Sequence, residues 1–159
     1  MKIMITGIII GLLAGLILAA VIFYIAAPRI MFRETPSTLN FEDTVTKLEE
    51  EITAKGWKIP AIHDLQATLK KFEKEVNSVK VFEICHPELS YEILSRNEER
   101  VVSNMMPCRI AVYQKSDGSV WISRMNSGTV AKPLTKVVRR TMTEAAAQVE
   151  EIIAKMPAE

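Results

Sequence analysis

The apolar residues of this chain form one long unbroken run, followed by shorter segments in which apolar and polar residues alternate. The run covers residues 3–27, where 21 of 25 residues are apolar and none is charged. As an α-helix it would measure about 37 Å and cross a hydrocarbon core of about 30 Å with some tilt. A cleaved signal peptide has a shorter apolar region, and Pro28 would follow the best cleavage site. Residues 1–27 are therefore predicted to be an uncleaved transmembrane anchor.

Small residues recur at every fourth position of the anchor: Gly7, Gly11, Gly15 and Ala19. This spacing keeps them near one helix face, where the missing side chains let another helix approach closely. The stripe therefore predicts, within the membrane lipid, either a homodimer or a contact with another membrane protein. The alternative is that glycine and alanine are simply frequent in membrane helices.

The charges that flank the anchor nearly balance, with Lys2 before it and Arg29 and Arg33 after it. Because the N-terminal tail is very short and the C-terminal part is long, we expect a signal-anchor orientation with the domain outside the cytoplasm. The two arginines argue for the opposite orientation. The predicted location is the cell membrane, crossed once, with the domain on the extracytoplasmic side.

Beyond the anchor, residues 28–39 hold two prolines, two threonines and a serine, and are predicted to be a tether. Spacings of four, three and four then join the next apolar residues into one helical stripe: Phe41, Val45, Leu48 and Ile52. Asn40 is a suitable N-cap for this helix, and Gly56 a suitable stop. Asp64 is predicted to cap a second, short helix, and Pro87 to begin a third.

Segments rich in branched and aromatic residues predict four strands: residues 57–62, 79–85, 108–113 and 119–125. Pro60 places the first of them at a sheet edge. A last helix is predicted from about Pro133, with an apolar stripe formed by Val138, Met142, Ala145, Val149, Ile152 and Met156. Together these elements predict an α+β domain over residues 40–156, with helices packed on one face of a small, largely antiparallel sheet, preceded by one N-terminal transmembrane helix.

The last two strands are predicted to form a hairpin with a three-residue loop. This loop pairs Val112 with Ile122 and Ile110 with Arg124, which gathers the apolar side chains on one face. We therefore prefer it to the two-residue Asp-Gly turn that the local sequence also allows. Cys108 then lies on the same apolar face, near Arg124.

The charge of the chain narrows the range of functions. Residues 28–159 carry 19 basic and 19 acidic groups, and the formal net charge of the whole chain is +1. A nucleic-acid-binding domain would show a basic patch or stripe, so no nucleic-acid partner is expected. The chain has no Gly-rich phosphate loop, no Gly-x-Ser-x-Gly, no His-Glu-x-x-His and no Cys-x-x-Cys. No catalytic residue is predicted, and a binding function is favoured over an enzyme.

The candidate chemistry lies in two short motifs, Cys85-His86-Pro87 and Met105-Met106-Pro107-Cys108. Cys85 ends a predicted strand where a helix begins, a place where backbone N–H groups favour a thiolate. Cys108 begins a predicted strand next to another proline. Thiols, thioethers and imidazoles suit copper(I), zinc or haem iron, and the candidate donors are Cys85, Cys108, His86, Met106 and His63. Arg124 is expected to stabilise a thiolate or a ligand carboxylate nearby.

Three interpretations of the two cysteines stay open. They form a soft-ligand or redox site, for haem or a thiophilic metal. Alternatively they form a structural disulfide, the usual fate of two cysteines outside the cytoplasm, in a non-catalytic accessory subunit of a membrane complex. In the third interpretation they are free thiols that only pack in the core.

These motifs, in this order, resemble one known family, domain-of-unknown-function family 302, in its membrane-anchored subset. The matching segments are Phe41–Val45, Asp64–Leu69, Cys85–Pro87, Met106–Cys108 and the Asp117–Gly118 hairpin before the last helix. The resemblance implies a small α+β domain that tends to form dimers and carries paired cysteines at these two places. Family members typically have Cys-Asn-Pro and Leu-Pro-Cys here, so His86 and Met106 are departures. The resemblance implies no activity.

Overall fold

The computed structural model describes residues 2–158, with side chains described over residues 11–158. The chain opens with helix α1 (Lys2–Met31), which contains Pro28 and carries Arg29 in its last turn. Its segment Gly11–Met31 is long and apolar enough to span a membrane, with a mean hydropathy of 2.3 and none of it buried. The prediction of one N-terminal apolar helix is confirmed, and the helix extends past the predicted end at residue 27.

Five strands form one antiparallel sheet: β1 (Phe32–Ser37), β2 (Lys58–Asp64), β3 (Val79–Cys85), β4 (Cys108–Gln114) and β5 (Val120–Met125). Their order is β1-β5-β4-β3-β2, so β2 lies at an edge, as Pro60 predicts. In the β4–β5 hairpin, Val112 pairs with Ile122 and Ile110 with Arg124, which confirms the predicted register. The loop closes between Lys115 and Ser119, with Gly118 at a φ of +86°.

The prediction of a tether over residues 28–39 is wrong. Residues 28–31 continue α1, and β1 pairs with β5 from Phe32–Met125 to Ser37–Val120. The polar composition of this segment hid a strand because an edge strand tolerates both polar side chains and a proline. Asn126 then fixes the end of α1, since its backbone N–H donates to the Met31 carbonyl (2.7 Å). The membrane-spanning candidate therefore leads directly into the sheet.

Five further helices follow: α2 (Phe41–Ala54), α3 (Leu65–Lys70), α4 (Pro87–Leu94), α5 (Ser127–Val130) and α6 (Lys136–Ile153). A 3-10 helix covers Glu98–Met105. The side chains of Asn40 and Asp64 accept the predicted cap bonds from Asp43 N and Ala67 N. The last helix begins at Lys136 rather than near Pro133, because Thr135 provides its N-cap by accepting from Val138 N.

The main core lies between one face of the sheet and helices α2 and α6, as the α+β prediction requires. Its most deeply buried side chains are Leu48, Ile52, Phe82, Ile84, Ile110, Val112, Ile122 and Ile152. Burying each of these stabilises the fold by about 1.5–3 kcal/mol relative to exposure. A second apolar cluster joins α4, the 3-10 helix and α6 through Ile93, Val102, Ala131, Val138 and Met142. The adjacent ends of β3 and β4 lie where the two clusters meet.

One buried ion pair crosses the core, from the sheet to α6. Arg124 is only 7% exposed, and its Nε and Nη2 donate to the two oxygens of Glu150 at 3.0 and 2.5 Å. Its Nη1 donates to Thr35 Oγ1 at 2.8 Å, which ties β1 to the same group. Burial alone would raise the pKa of Glu150, but hydrogen bonds and charge from Arg124, with a further contribution from Arg33, lower it below its ordinary 4.5. Glu150 is therefore ionised at neutral pH.

Replacing Arg124 by methionine should lower the free energy of unfolding by about 2–3 kcal/mol, because a half-buried carboxylate would lose its bidentate partner. Thermal unfolding of the full chain in detergent measures this. The double variant Arg124→Met with Glu150→Leu should recover most of the loss, since it leaves no buried charge unpaired and Arg33, the other partner of Glu150, is half-exposed. A double variant as unstable as the single one would contradict the role of the pair.

The lowered pKa of Glu150 also sets a pH dependence. Because this pKa is lower in the folded than in the unfolded chain, the pair stabilises fully above the ordinary pKa of 4.5. The stabilisation is lost as the pH falls through the folded pKa. Unfolding temperatures measured between pH 7 and pH 3 should therefore fall less steeply for Glu150→Gln than for the wild type. Parallel pH curves for the two proteins would contradict this.

Candidate functional site

The pairing of β3 with β4 brings the two cysteines together. In this antiparallel pair Ile84 lies opposite Cys108, so the last residue of β3 lies diagonally across from the first residue of β4. Each strand ends here for a local reason. Pro87 occupies the first turn of α4 immediately after β3, and Pro107 has no N–H to continue the ladder before β4. Both cysteines are half-buried free thiols.

Cys85 and Cys108 line one small cavity of about 40 Å³, between the strand ends, α4, the 3-10 helix and α6. Two other predicted donors, His86 and Met106, line it as well. Four of the five donors expected from the sequence thus share one cavity wall. Two further thioethers, Met105 and Met142, complete the lining, and Trp57 lies on the same wall. The wall therefore offers five sulfur atoms and one imidazole.

His86 carries a ring nitrogen without a hydrogen bond. The residue is the N-cap of α4, but its side chain makes no cap bond. Its ring stands edge-on to Trp57, with the ring centroids 5.5 Å apart. Nδ1 lies 3.1 Å from Glu88 Oε2, yet it is buried and the geometry of that approach does not make a hydrogen bond. A buried nitrogen without a hydrogen bond is rare. His86 lines the small cavity, while its Nδ1 lies against the Glu88 carboxylate.

The two thiols differ in their surroundings. Cys85 Sγ lies 3.1 Å from Ser90 Oγ in the first turn of α4. Burial raises the pKa of the Cys108 thiol above its ordinary value, and the neighbouring Cys85 raises it further. Cys108 is therefore a neutral thiol at neutral pH, the opposite of an activated nucleophile.

Two predicted site residues lie elsewhere. His63 is on β2 opposite Val81, half-exposed, with Nε2 3.3 Å from Glu83 Oε1. It does not line the small cavity. Arg124 directs its donors to Glu150 and Thr35 instead of to a cysteine. Within residues 2–158, no three His, Cys, Asp or Glu side chains are grouped so as to hold a metal ion.

The sequence motifs do not predict Met105 and Met142 as donors, although both line the cavity. Met142 belongs to the apolar stripe of α6, and a core position explains it fully until α6 is placed beside the strand ends. Met105 is adjacent to Met106, and this pair directly before Pro107-Cys108 is the one sequence signal that points to it. The contribution of α6 depends on tertiary packing.

Comparison with known proteins identifies the domain but no activity. Residues 33–159 match a family described as Domain of unknown function DUF302. Among solved structures, the chain is similar to an uncharacterized conserved DUF302 protein from Bacillus stearothermophilus, with a TM-score of 0.72 and 15% identity over 80% of this chain and 98% of that one. At this identity the likeness shows the fold alone. No curated protein matches the chain.

Native Cys108 should react slowly with iodoacetamide at pH 7, and its rate should rise up to a pH above the ordinary thiol pKa, because the thiolate is the reactive form. Peptide mapping by mass spectrometry at several pH values measures this rate. In Cys85→Ser the midpoint of the profile should move to lower pH, since one of the two causes of the raised pKa is removed. A midpoint below that of the urea-unfolded chain would contradict the described environment.

Proposed function

The chain belongs to the family Domain of unknown function DUF302, and we propose that it binds one thiophilic metal ion, copper(I), through Cys85 and Cys108. One observation carries the proposal. Two free cysteines, three methionines and His86, whose Nδ1 is buried without a hydrogen bond, line one cavity of about 40 Å³. Met106 and His86 are the proposed additional donors.

The chemistry of the donors favours copper(I) over the other candidates. Thiolate and thioether ligands are soft and select copper(I), whereas zinc prefers thiolate, imidazole and carboxylate in a tetrahedral set. The cavity that both cysteines line is about 40 Å³, and this size favours a single ion over haem. Ligands as large as haem occupy pockets of at least about 300 Å³. Trp57, which is almost completely buried, contributes to the apolar wall beside the site.

Proton release must accompany copper binding. A thiol binds a metal as the thiolate, and the raised pKa of Cys108 means that this residue holds its proton at neutral pH. Copper therefore competes with a proton at Cys108, and the apparent affinity rises with pH. If one proton leaves Cys108 for each ion bound, the apparent affinity for copper(I) falls about tenfold for each pH unit below that pKa.

A full-chain sample in detergent, titrated anaerobically with copper(I) against a chromogenic chelator, should bind one ion per chain. Cys85→Ser and Cys108→Ser should each weaken binding by more than about 100-fold, and Met106→Leu by about tenfold. Met125→Leu makes the same chemical change outside the small cavity and should leave the affinity unchanged.

Two results would defeat the metal proposal. One is binding that survives in the Cys85→Ser, Cys108→Ser double variant. The other is a wild-type chain that binds no copper(I) but forms a reversible disulfide between Cys85 and Cys108. Counting free thiols with and without reductant detects that disulfide. The second result would favour the redox alternative. A disulfide that resists reductant in the folded chain would favour the accessory-subunit alternative.

Helix α1 is proposed to anchor this site to the cell membrane, with the domain on the extracytoplasmic side. The support is the length and hydropathy of Gly11–Met31. The glycine face is proposed to pack against a second helix, from another copy or from a different membrane protein. An added Cβ at Gly7, Gly11 or Gly15 would meet nothing within 4 Å in this chain, so the face is open to such a partner.

Gly11→Ile should weaken self-association in membranes by blocking close helix approach. Chemical crosslinking of the full chain in vesicles, compared with Leu12→Ile on a neighbouring position, measures this. Crosslinked dimer at the wild-type level in both variants would contradict the packing proposal. Membrane anchoring is a separate question, and alkaline extraction of the vesicles tests it.

A further inference from the structure

A second, larger cavity of about 340 Å³ adjoins the copper site. The two cavities share four lining residues: Met105, Pro107, Cys108 and Met142. Most of the larger wall is apolar, and its volume lies within the range of about 300–1,000 Å³ that small-molecule sites occupy. The copper site does not use this space.

The larger cavity opens where the sheet stops. Pairing between β4 and β5 ends at Ile110 and Arg124. Those two side chains lie on the helix-covered face, whereas Ala111 and Ser123, one residue along each strand, lie on the opposite face. All four line the cavity, so it reaches around the end of the β4–β5 pair from one face of the sheet to the other.

This opening lies at the end of the domain where α1 enters. Phe32, on the cavity wall, directly follows Met31, the last residue of the membrane-spanning candidate. It pairs across the sheet with Met125, also on the wall, and the two side chains are 51% and 42% exposed. Two large apolar side chains at this place would lie at the surface of a bilayer that α1 spans.

A group of charged side chains with a net positive charge lies beside the apolar wall of the larger cavity. The Glu150 carboxylate lies on the wall and pairs with two guanidinium groups, those of Arg124 and Arg33 (3.2 Å from Arg33 Nη1 to Glu150 Oε1). This cluster of three charged groups has a net charge of +1. Arg33 is half-exposed, on β1 next to the end of α1, so the unbalanced charge faces the solvent at the membrane side.

We propose that the larger cavity takes an acyl chain with an anionic head group, the head lying at Arg33 and the chain in the apolar space. The inference rests on the proposed membrane anchoring of α1 and is independent of copper. Two sources supply this chemistry, a free fatty acid and the acyl chain of an anionic phospholipid. In either case the lipid would cover the Cys108 side of the copper site, because the two cavities share that residue.

The test uses the full chain in nanodiscs with two photoreactive probes, a diazirine fatty acid and an anionic phospholipid with a diazirine in its acyl chain. Crosslinked peptides are mapped by mass spectrometry. Labelling is expected on the Met105–Arg109 and Ala146–Glu150 segments as well as on α1. Ala111→Trp and Ala146→Trp, on different elements, should each lower labelling of those segments at least fivefold by filling the cavity. Ala147→Trp, on the exposed face of α6, should not.

Whichever probe labels the two segments identifies the source of the acyl chain. Labelling confined to α1 for both probes overturns the proposal, as does labelling of the segments that persists in both cavity-filling variants. Far-UV circular dichroism establishes that each variant is folded, and Ala111→Trp provides the test if Ala146→Trp, which lies against Gly128, does not fold. Failure of α1 to insert is a separate result, because it would abolish recovery of the chain in nanodiscs.

Discussion

The pairing of β3 with β4 is the constraint on which the site depends. The register that places Ile84 opposite Cys108 brings two cysteines 23 positions apart to one end of the sheet. A shift of one residue would move every side chain of a strand to the other face and change how the two thiols lie relative to each other. The register is held by the core side chains of the same strands, Phe82, Ile84 and Ile110, each almost completely buried. The packing that stabilises the domain therefore also sets the geometry of the sulfur atoms.

The same end of the sheet carries the attachment to α1. Strand β1 begins at Phe32, directly after the apolar helix, and Asn126 hydrogen-bonds the last carbonyls of that helix. The larger cavity is lined by Phe32 at this junction, and it shares Cys108 with the small cavity. In the proposed arrangement a soft-metal site and a lipid-binding cavity face the membrane together, while α3 and the β4–β5 loop lie at the far end. The proposed metal site and the proposed lipid cavity therefore lie at the end of the sheet to which α1 is attached.

Local signals predicted much of this arrangement. Side-chain caps placed the starts of α2 and α3, and the alternation in the hairpin chose the correct register for Ile110 and Val112. The strand β1 could not be predicted in this way, because its polar residues and Pro36 carry no apolar alternation, and only pairing with β5 makes it a strand. The residues of the site also divide into those that local sequence predicts and those that it does not. Neighbours in sequence, Cys85 with His86 and Met106 with Cys108, were found from motifs.

The remainder of the site needed tertiary information. Met142 reaches the cavity only because α6 packs beside the strand ends, and His63 misses it because β2 pairs it with Val81, away from that end. The buried Arg124 was expected near Cys108, but no sequence signal indicated that Glu150, 26 residues later on α6, would take its hydrogen bonds. Contacts between residues that are far apart in the sequence determine where these three side chains lie.

X-ray absorption at the copper edge, on the full chain loaded anaerobically with copper(I), tests the central claim most directly. The expected result is a first coordination shell dominated by sulfur, which loses sulfur in Cys108→Ser and keeps it in Met125→Leu. A shell of nitrogen and oxygen only, or a spectrum unchanged by Cys108→Ser, would contradict it.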